Sequence, residues 1–412
     1  MKRNIFKKAL LFALTLLFIE VASGQTADKN NHKNSKITID LKSIEFDIAE
    51  AFRSMALELK KIDFEKIGVA VESAGRDLGR EIGNIEIEVI EKEPEYPEAP
   101  AELAGTAEKS KVINRTFSVD RNDKLSINNQ YGKVAVHAWA KNEIKVEVEI
   151  KAFEASESSA EQLLESVKIA ETREGDLISF KTNFEKTSLN FWSRIKNGKE
   201  ERRGVQVNYE IYMPAKNPLD INNRYGSTEI DDFNGPVNIS SAYGSFSSGK
   251  LDNPANQVKV SYGSASMENY SNGNLSIAYG SLKLEEADKL SASIKYSSAK
   301  IAHLSNGGNF NLAYGGGFKI DEVDKSVKNL VINSSYSGVT LGLAENADFD
   351  FDVTVNYAGF NYNDNKINLI NQFTDTDKPK VWTPSKNYKG KVGKGSDSRI
   401  IIKSNYGGVR FL

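Results

Sequence analysis

Val258-Lys259-Val260-Ser261-Tyr262-Gly263-Ser264-Ala265-Ser266-Met267 is followed by Leu275-Ser276-Ile277-Ala278-Tyr279-Gly280-Ser281-Leu282-Lys283-Leu284. In both stretches apolar residues stand four and two places before a tyrosine and three and five places after it. Alternation of apolar and polar residues marks a strand with one buried face. The step of three across the tyrosine shifts the phase by one residue. Two short strands joined at a corner satisfy both rules, and the glycine there permits a bend or bulge that a bulky side chain resists.

The pattern recurs around tyrosines 225, 243, 262, 279, 296, 314, 336 and 357, at spacings of 17 to 22 residues and usually followed by glycine or serine. Tyr131-Gly132 and Tyr406-Gly407 share the motif farther away. Ala292, Ile294, Ala299 and Ile301 surround Tyr296, and Val353, Val355, Phe360 and Tyr362 surround Tyr357. At Tyr314 the run Gly315-Gly316-Gly317 pushes Phe318 and Ile320 along by one place. A unit this small cannot bury its own apolar face and must stack on its neighbours. At ~4.8 Å per strand, eight units make a stack on the order of 40 Å long. The alternation places each tyrosine on the inner side with the two apolar residues before it, which predicts a ladder of offset rings inside the corner. An outward aromatic strip that binds sugars is the functional alternative, and the phase argues against it.

Before the repeats the chain changes character several times. Met1 to Gly24 reads as a secretory signal: Lys2, Arg3, Lys7 and Lys8, an apolar run from Ala9 to Ile19, then Ala22-Ser23-Gly24. A mostly apolar run of eleven residues falls short of the ~20 needed to cross a bilayer as a helix. Residues 25–85 are predicted to be a helical region, with one face marked by Ile48, Phe52, Met55, Leu59 and Ile62, then Ile67, Val71, Ala74, Leu78 and Ile82. Residues 86–111, with Pro94, Pro97 and Pro100 among glutamates, read as an acidic extended linker. Residues 112–220 form a β-rich region whose strands include Lys124 to Ile127, Val134 to Val136, Ile144 to Ile150, Leu177 to Phe180 and Val205 to Ile211. One short helix is expected there, with Ser158 and Glu161 as a capping box. Residues 221–412 carry the repeats.

The NNQYG of Asn128 to Gly132, the strand end Met213-Pro214, and Asn222-Asn223-Arg224-Tyr225-Gly226 followed by Tyr-Gly corners resemble the bacterial "putative-adhesin" β-strand-repeat family over residues 110–412. The resemblance implies a mainly β chain built as a right-handed β-solenoid in the cell envelope. It transfers no ligand and no catalytic residue.

Composition narrows the chemistry. There is no cysteine, which excludes disulfides, thiolate metal sites and cysteine nucleophiles. Loss of the signal would remove four positive charges and one negative, taking the net charge from −2 to −5. A mildly acidic chain argues against nucleic-acid binding. His32, His137 and His303 lack ligand spacing. Gly315-Gly316-Gly317 lacks the context of a phosphate loop and reads as a turn. Glu268 and Glu285 would sit one strand apart, with Asp231 and Asp321 at equivalent positions, and so could share a cation; a solvated, screened corner is the plainer reading. Asp348, Asp350 and Asp352 suit a strand with one wet face, and the basic run Arg194, Lys196, Lys199, Arg202 and Arg203 reads as an exposed loop. No catalytic, cofactor-binding or metal residue is assigned, and no cofactor is expected. The expectation is an exported, non-catalytic envelope protein, periplasmic, outer-membrane-associated or at the cell surface, with no transmembrane segment after signal cleavage. It would present a repetitive surface for adhesion or for glycan, matrix or protein partners. The alternatives are a calcium-assisted polysaccharide lyase and an envelope-stress or signalling accessory.

Overall fold

The computed structural model describes residues 107–185, 192–196, 199–363, 367–373 and 384–412. The signal segment, the N-terminal helices and most of the acidic linker lie outside them. Among the described residues the chain is mainly β with one helix, Glu157–Glu165, and no helix is long and apolar enough to cross a membrane. The helix is capped by Ser156, whose side chain accepts from the Ser159 amide, two residues earlier than the expected cap at Ser158.

Strands that precede each tyrosine pair in parallel, one above the next. Leu177–Phe184, Lys124–Gln130, Leu219–Arg224, Val237–Ala242, Gln257–Ser261 and Asn274–Ala278 are joined in this order. Residues 291–295 and 307–313 continue the ladder, then Asn329–Ser335, Arg399–Asn405 and Phe349–Asn356. Strands that follow each tyrosine make a second parallel ladder. It runs from Lys199–Pro214 through Val134–Trp139, Thr228–Ile230, Phe246–Asp252 and Ser264–Ser271. Residues 281–288 and 298–304, Gly317–Val323, Val339–Leu343, Val409–Phe411 and Phe360–Asn361 complete it.

Spatial order departs from chain order at both ends. At one, Leu177–Phe184 and Lys199–Pro214 lie outside Lys124–Gln130 and Val134–Trp139, which precede them in the chain. At the other, the segment 399–411 inserts both of its strands between the turn of Tyr336 and the turn of Tyr357. Antiparallel pairings close the two ends: Ala107–Ser118 with Glu143–Glu154 and the latter with Lys199–Pro214 at one, Ser385–Val392 with Phe349–Asn356 and Ile367–Phe373 at the other. Ladder ends would otherwise expose unpaired backbone groups to any passing strand.

The core is the row-by-row product of the alternation. Leu275, Ile277, Leu282 and Leu284 are at most 3% exposed, and their counterparts Val258, Val260, Ala265 and Met267 at most 2%. Phe318 and Ile320 are equally buried after the one-residue slip, which Gly317 absorbs at φ 136°. Toward both ends polar residues replace the apolar one two places before the tyrosine. Asn129 and Asn223 are fully buried: Asn129 donates to the Val207 carbonyl at 2.9 Å, and Asn223 to those of Gly132 at 3.1 Å and Ser227 at 2.9 Å. Ser334 and Ser404 each donate to a carbonyl of their own corner at 2.6 Å. A buried amide or hydroxyl is tolerated when it is paired in this way.

Candidate functional site

The tyrosines are not inside. All ten adopt a left-handed backbone, with φ between 51° and 65°, and that dihedral turns the side chain out of the phase that regular alternation would give it. From Tyr243 onward they are 43% to 53% exposed. The corner glycine does not carry the unusual dihedral; it is there for space. A β-carbon on Gly226, Gly244, Gly263 or Gly280 would strike the carbonyl of the corner glycine in the preceding turn. Tyrosine and glycine thus divide the work of the corner.

The rings stack in the spatial order 131, 225, 243, 262, 279, 296, 314, 336, 406, 357, with centroids 4.7 to 5.1 Å apart. Planes around Tyr279 are within 3° of parallel. Phe184 closes one end edge-on against Tyr131. Ten rings at strand spacing form a column roughly 45 Å long. Because each ring covers its neighbour's face, the solvent meets ring edges and hydroxyls. A sugar that needs an open aromatic face finds none along the column. Burial, and then the neighbouring Tyr262 and Tyr296, push the Tyr279 hydroxyl up from its ordinary pKa.

Beside the column run two rows of outward side chains in register. The nearer, one residue before each tyrosine, is Gln130, Arg224, Ala242, Ser261, Ala278, Lys295, Ala313, Ser335, Asn405 and Asn356. The farther, three residues before it, holds Asn, Ser and Thr with Lys259 and Lys403. Neither row contains a carboxylate. A shallow depression of about 390 Å³ lies over this face, lined by Asn238, Ser240, Gln257, Lys259, Asn274 and Ser276 among others.

The second ladder has the opposite character. Lys283 pairs with Glu285 at 2.9 Å, and Asp321 takes both Lys319 at 2.7 Å and Lys300 at 3.1 Å. Those lysines hold the Asp321 carboxyl below its usual range, the Lys319 hydrogen bond first. Glu268 and Glu285 do lie on neighbouring strands, between the pairs Met267 with Leu284 and Asn269 with Glu286, and Lys283 already engages Glu285.

The remaining candidates meet in small separate groups and not in one site. Asp231 faces His137 Nδ1 at 3.3 Å while Glu210 meets its Nε2 at 2.5 Å. His303, Glu322 and Asp324 could each bring one ligand atom within 4.8 Å of the others. The two ring nitrogens of His303 face different carboxylates, Glu322 at 3.5 Å and Asp324 at 3.9 Å, so the imidazole is clamped between them. Hydrogen bonds from Ser326 hold the Asp324 carboxyl below its ordinary value. Asp348 accepts from the Lys394 amide and Asp352 pairs with Lys389. Of the basic run only Arg203 has a described side chain, 2.5 Å from Glu154; His32 lies outside the described residues.

The chain matches no protein-family model and no curated protein. Solved structures similar to it include one described as a "putative cell adhesion protein" from Clostridium sporogenes, at 10% identity, covering 74% of this chain and 99% of that one, with a TM-score of 0.19. A "putative adhesin" and a "putative lipid binding protein", both from Parabacteroides distasonis, are 8% and 11% identical. Each match covers 73% of this chain and nearly all of the other, 97% and 96%, with a TM-score of 0.30. At these identities and TM-scores the likenesses carry no argument about function.

Proposed function

We propose that this chain is an exported, non-catalytic protein of the cell envelope. Its β-stack, a right-handed solenoid of 17- to 22-residue repeats, presents a repetitive surface to an extended partner. The observation that carries the reading is the tyrosine column, where the same ring recurs at every strand step along one face, flanked by two rows of short polar and cationic side chains without a carboxylate. A ligand with its own repeat meets them again and again, and weak contacts add into useful affinity when they act in series. The depression beside the column is open and shallow, a shape suited to a polymer more than to an enclosed small substrate. Support for binding over catalysis comes from the carboxylates of the second ladder, where Glu285 and Asp321 are committed to lysines.

The test is a screen of envelope fractions and a glycan array with the whole chain, beside the variant Ser276→Trp/Ser293→Trp. These serines point outward, so bulk there obstructs the face and leaves the core untouched. Capture that the tryptophans abolish supports the reading. Capture that they leave intact, or turnover of a polysaccharide, sinks it.

A further inference from the structure

We infer that the ligand of this face is a linear anionic polysaccharide lying along the stack beside the tyrosine column, with an acidic group on about every second sugar; the inference rests on the binding reading above. Its basis is a charge pattern that appears only once the strands are in register. The two rows flanking the column contain Arg224, Lys259, Lys295 and Lys403 and no acidic residue, although the whole chain has more acidic than basic residues. All four cations are exposed, and none forms an ion pair among the described residues. Lys283, Lys300 and Lys319 on the second ladder are each neutralised by a carboxylate. Lys250 and Arg410 on that ladder also form no ion pair among the described residues, so what sets the tyrosine face apart is that its two rows hold cations and no carboxylate, whereas the second ladder mixes both signs.

Spacing adds the second constraint. Arg224, Lys259 and Lys295 stand on alternate strands, with Ala242 and Ala278 on the strands between, and Lys403 follows three strands after Lys295. Alternate strands are ~10 Å apart. An extended β-linked glycan advances by about one strand step per sugar, so an acid on every second sugar keeps pace with Arg224, Lys259 and Lys295, while Lys403, three strands farther on, falls out of that phase. Between them the face offers Ser240, Ser261, Ser276 and Ser293, short hydroxyls that donate and accept as sugar hydroxyls require. Arg224 also lies over the Tyr225 ring, 5.4 Å from its centroid, which fixes its guanidinium beside the column.

Hyaluronan, with an acid on alternate sugars, is the probe, measured with the whole chain against a neutral cellulose ether of similar length and a single-stranded DNA. Lys259→Gln/Lys295→Gln is expected to weaken hyaluronan binding roughly ten-fold or more, and to make the binding that remains less sensitive to salt. Lys300→Gln/Lys319→Gln removes the same charge from the other ladder and is expected to leave affinity unchanged. Equal losses in the two double variants, equal binding of the neutral polymer, or equal binding of DNA would each overturn the inference. A ligand blocked by the tryptophan pair but indifferent to Lys259→Gln/Lys295→Gln overturns the inference and leaves the binding reading standing. Hyaluronan binding indifferent to all three variants overturns both.

Discussion

Tyr279 holds a left-handed dihedral, φ 57°, that side chains with a β-carbon resist by roughly 1–2 kcal/mol. Two ring contacts at 4.8 Å return about 0.5–1.5 kcal/mol each, and its amide still bonds to the Lys295 carbonyl at 3.1 Å. The balance yields a prediction contrary to the usual order in strands. Tyr279→Gly and Tyr279→Ala both lose the ring, but glycine escapes the dihedral penalty, so Tyr279→Gly should be the more stable of the two by about 1 kcal/mol. Urea midpoints of the two variants decide it; the opposite order would mean that the dihedral is not what constrains this corner. The residue scale is also where the sequence misled. Counting by twos places the tyrosine inward, and the count fails because a single positive φ reverses the side on which a residue emerges. Recurring tyrosine before glycine, where glycine itself would be the cheap left-handed residue, was the available signal: ring stacking selects the one, and the carbonyl of the turn before selects the other.

Elements were legible wherever apolar residues alternated, because burial on one face imposes that pattern whatever the neighbours are. Their order in space was not. Nothing local in Ile400, Ile402, Val409 and Phe411 tells them to lie between two turns that precede them in the chain, yet all four are at most 3% exposed. Deleting residues 399–412 therefore strips pairing from the turns of both Tyr336 and Tyr357. The lost burial is worth on the order of 6 to 12 kcal/mol. Hydrogen exchange should show loss of protection across 349–363 and 385–392, with 219–296 still protected, since turns in a stack depend chiefly on their neighbours. Uniform loss along the chain, or none, would contradict the interleaved order.

Over the whole molecule two properties emerge that no single repeat contains. One is the split of charge between the ladders. Lys259 and Lys300 look alike in sequence, each in an alternating run beside a Tyr corner; only the register shows that Lys300 meets Asp321 of the next strand while Lys259 lies between Ser240 and Ser276. The other is sensitivity to alkali. Burial pushes the Tyr209 hydroxyl up to about 12 from 10.0 and raises Tyr270 further, while Tyr279 is raised more modestly. The folded chain thus holds these protons more tightly than the unfolded chain does. Their stabilisation is complete below pH 10 and drains away as pH rises from 10 toward 12. The denaturation midpoint should be flat at neutral pH and fall above 10, with tyrosinate absorbance lagging that of the free amino acid. An early fall with no lag would refute it.

The interleaving of 399–411 also has a bearing on how the protein is made. A ribosome releases the turn of Tyr357 before the piece that belongs beneath it, so the growing chain must keep a berth open for a late arrival. Until that piece arrives, the turns of Tyr336 and Tyr357 lack the strands that lie between them, so the stack cannot be completed in the order in which it is made.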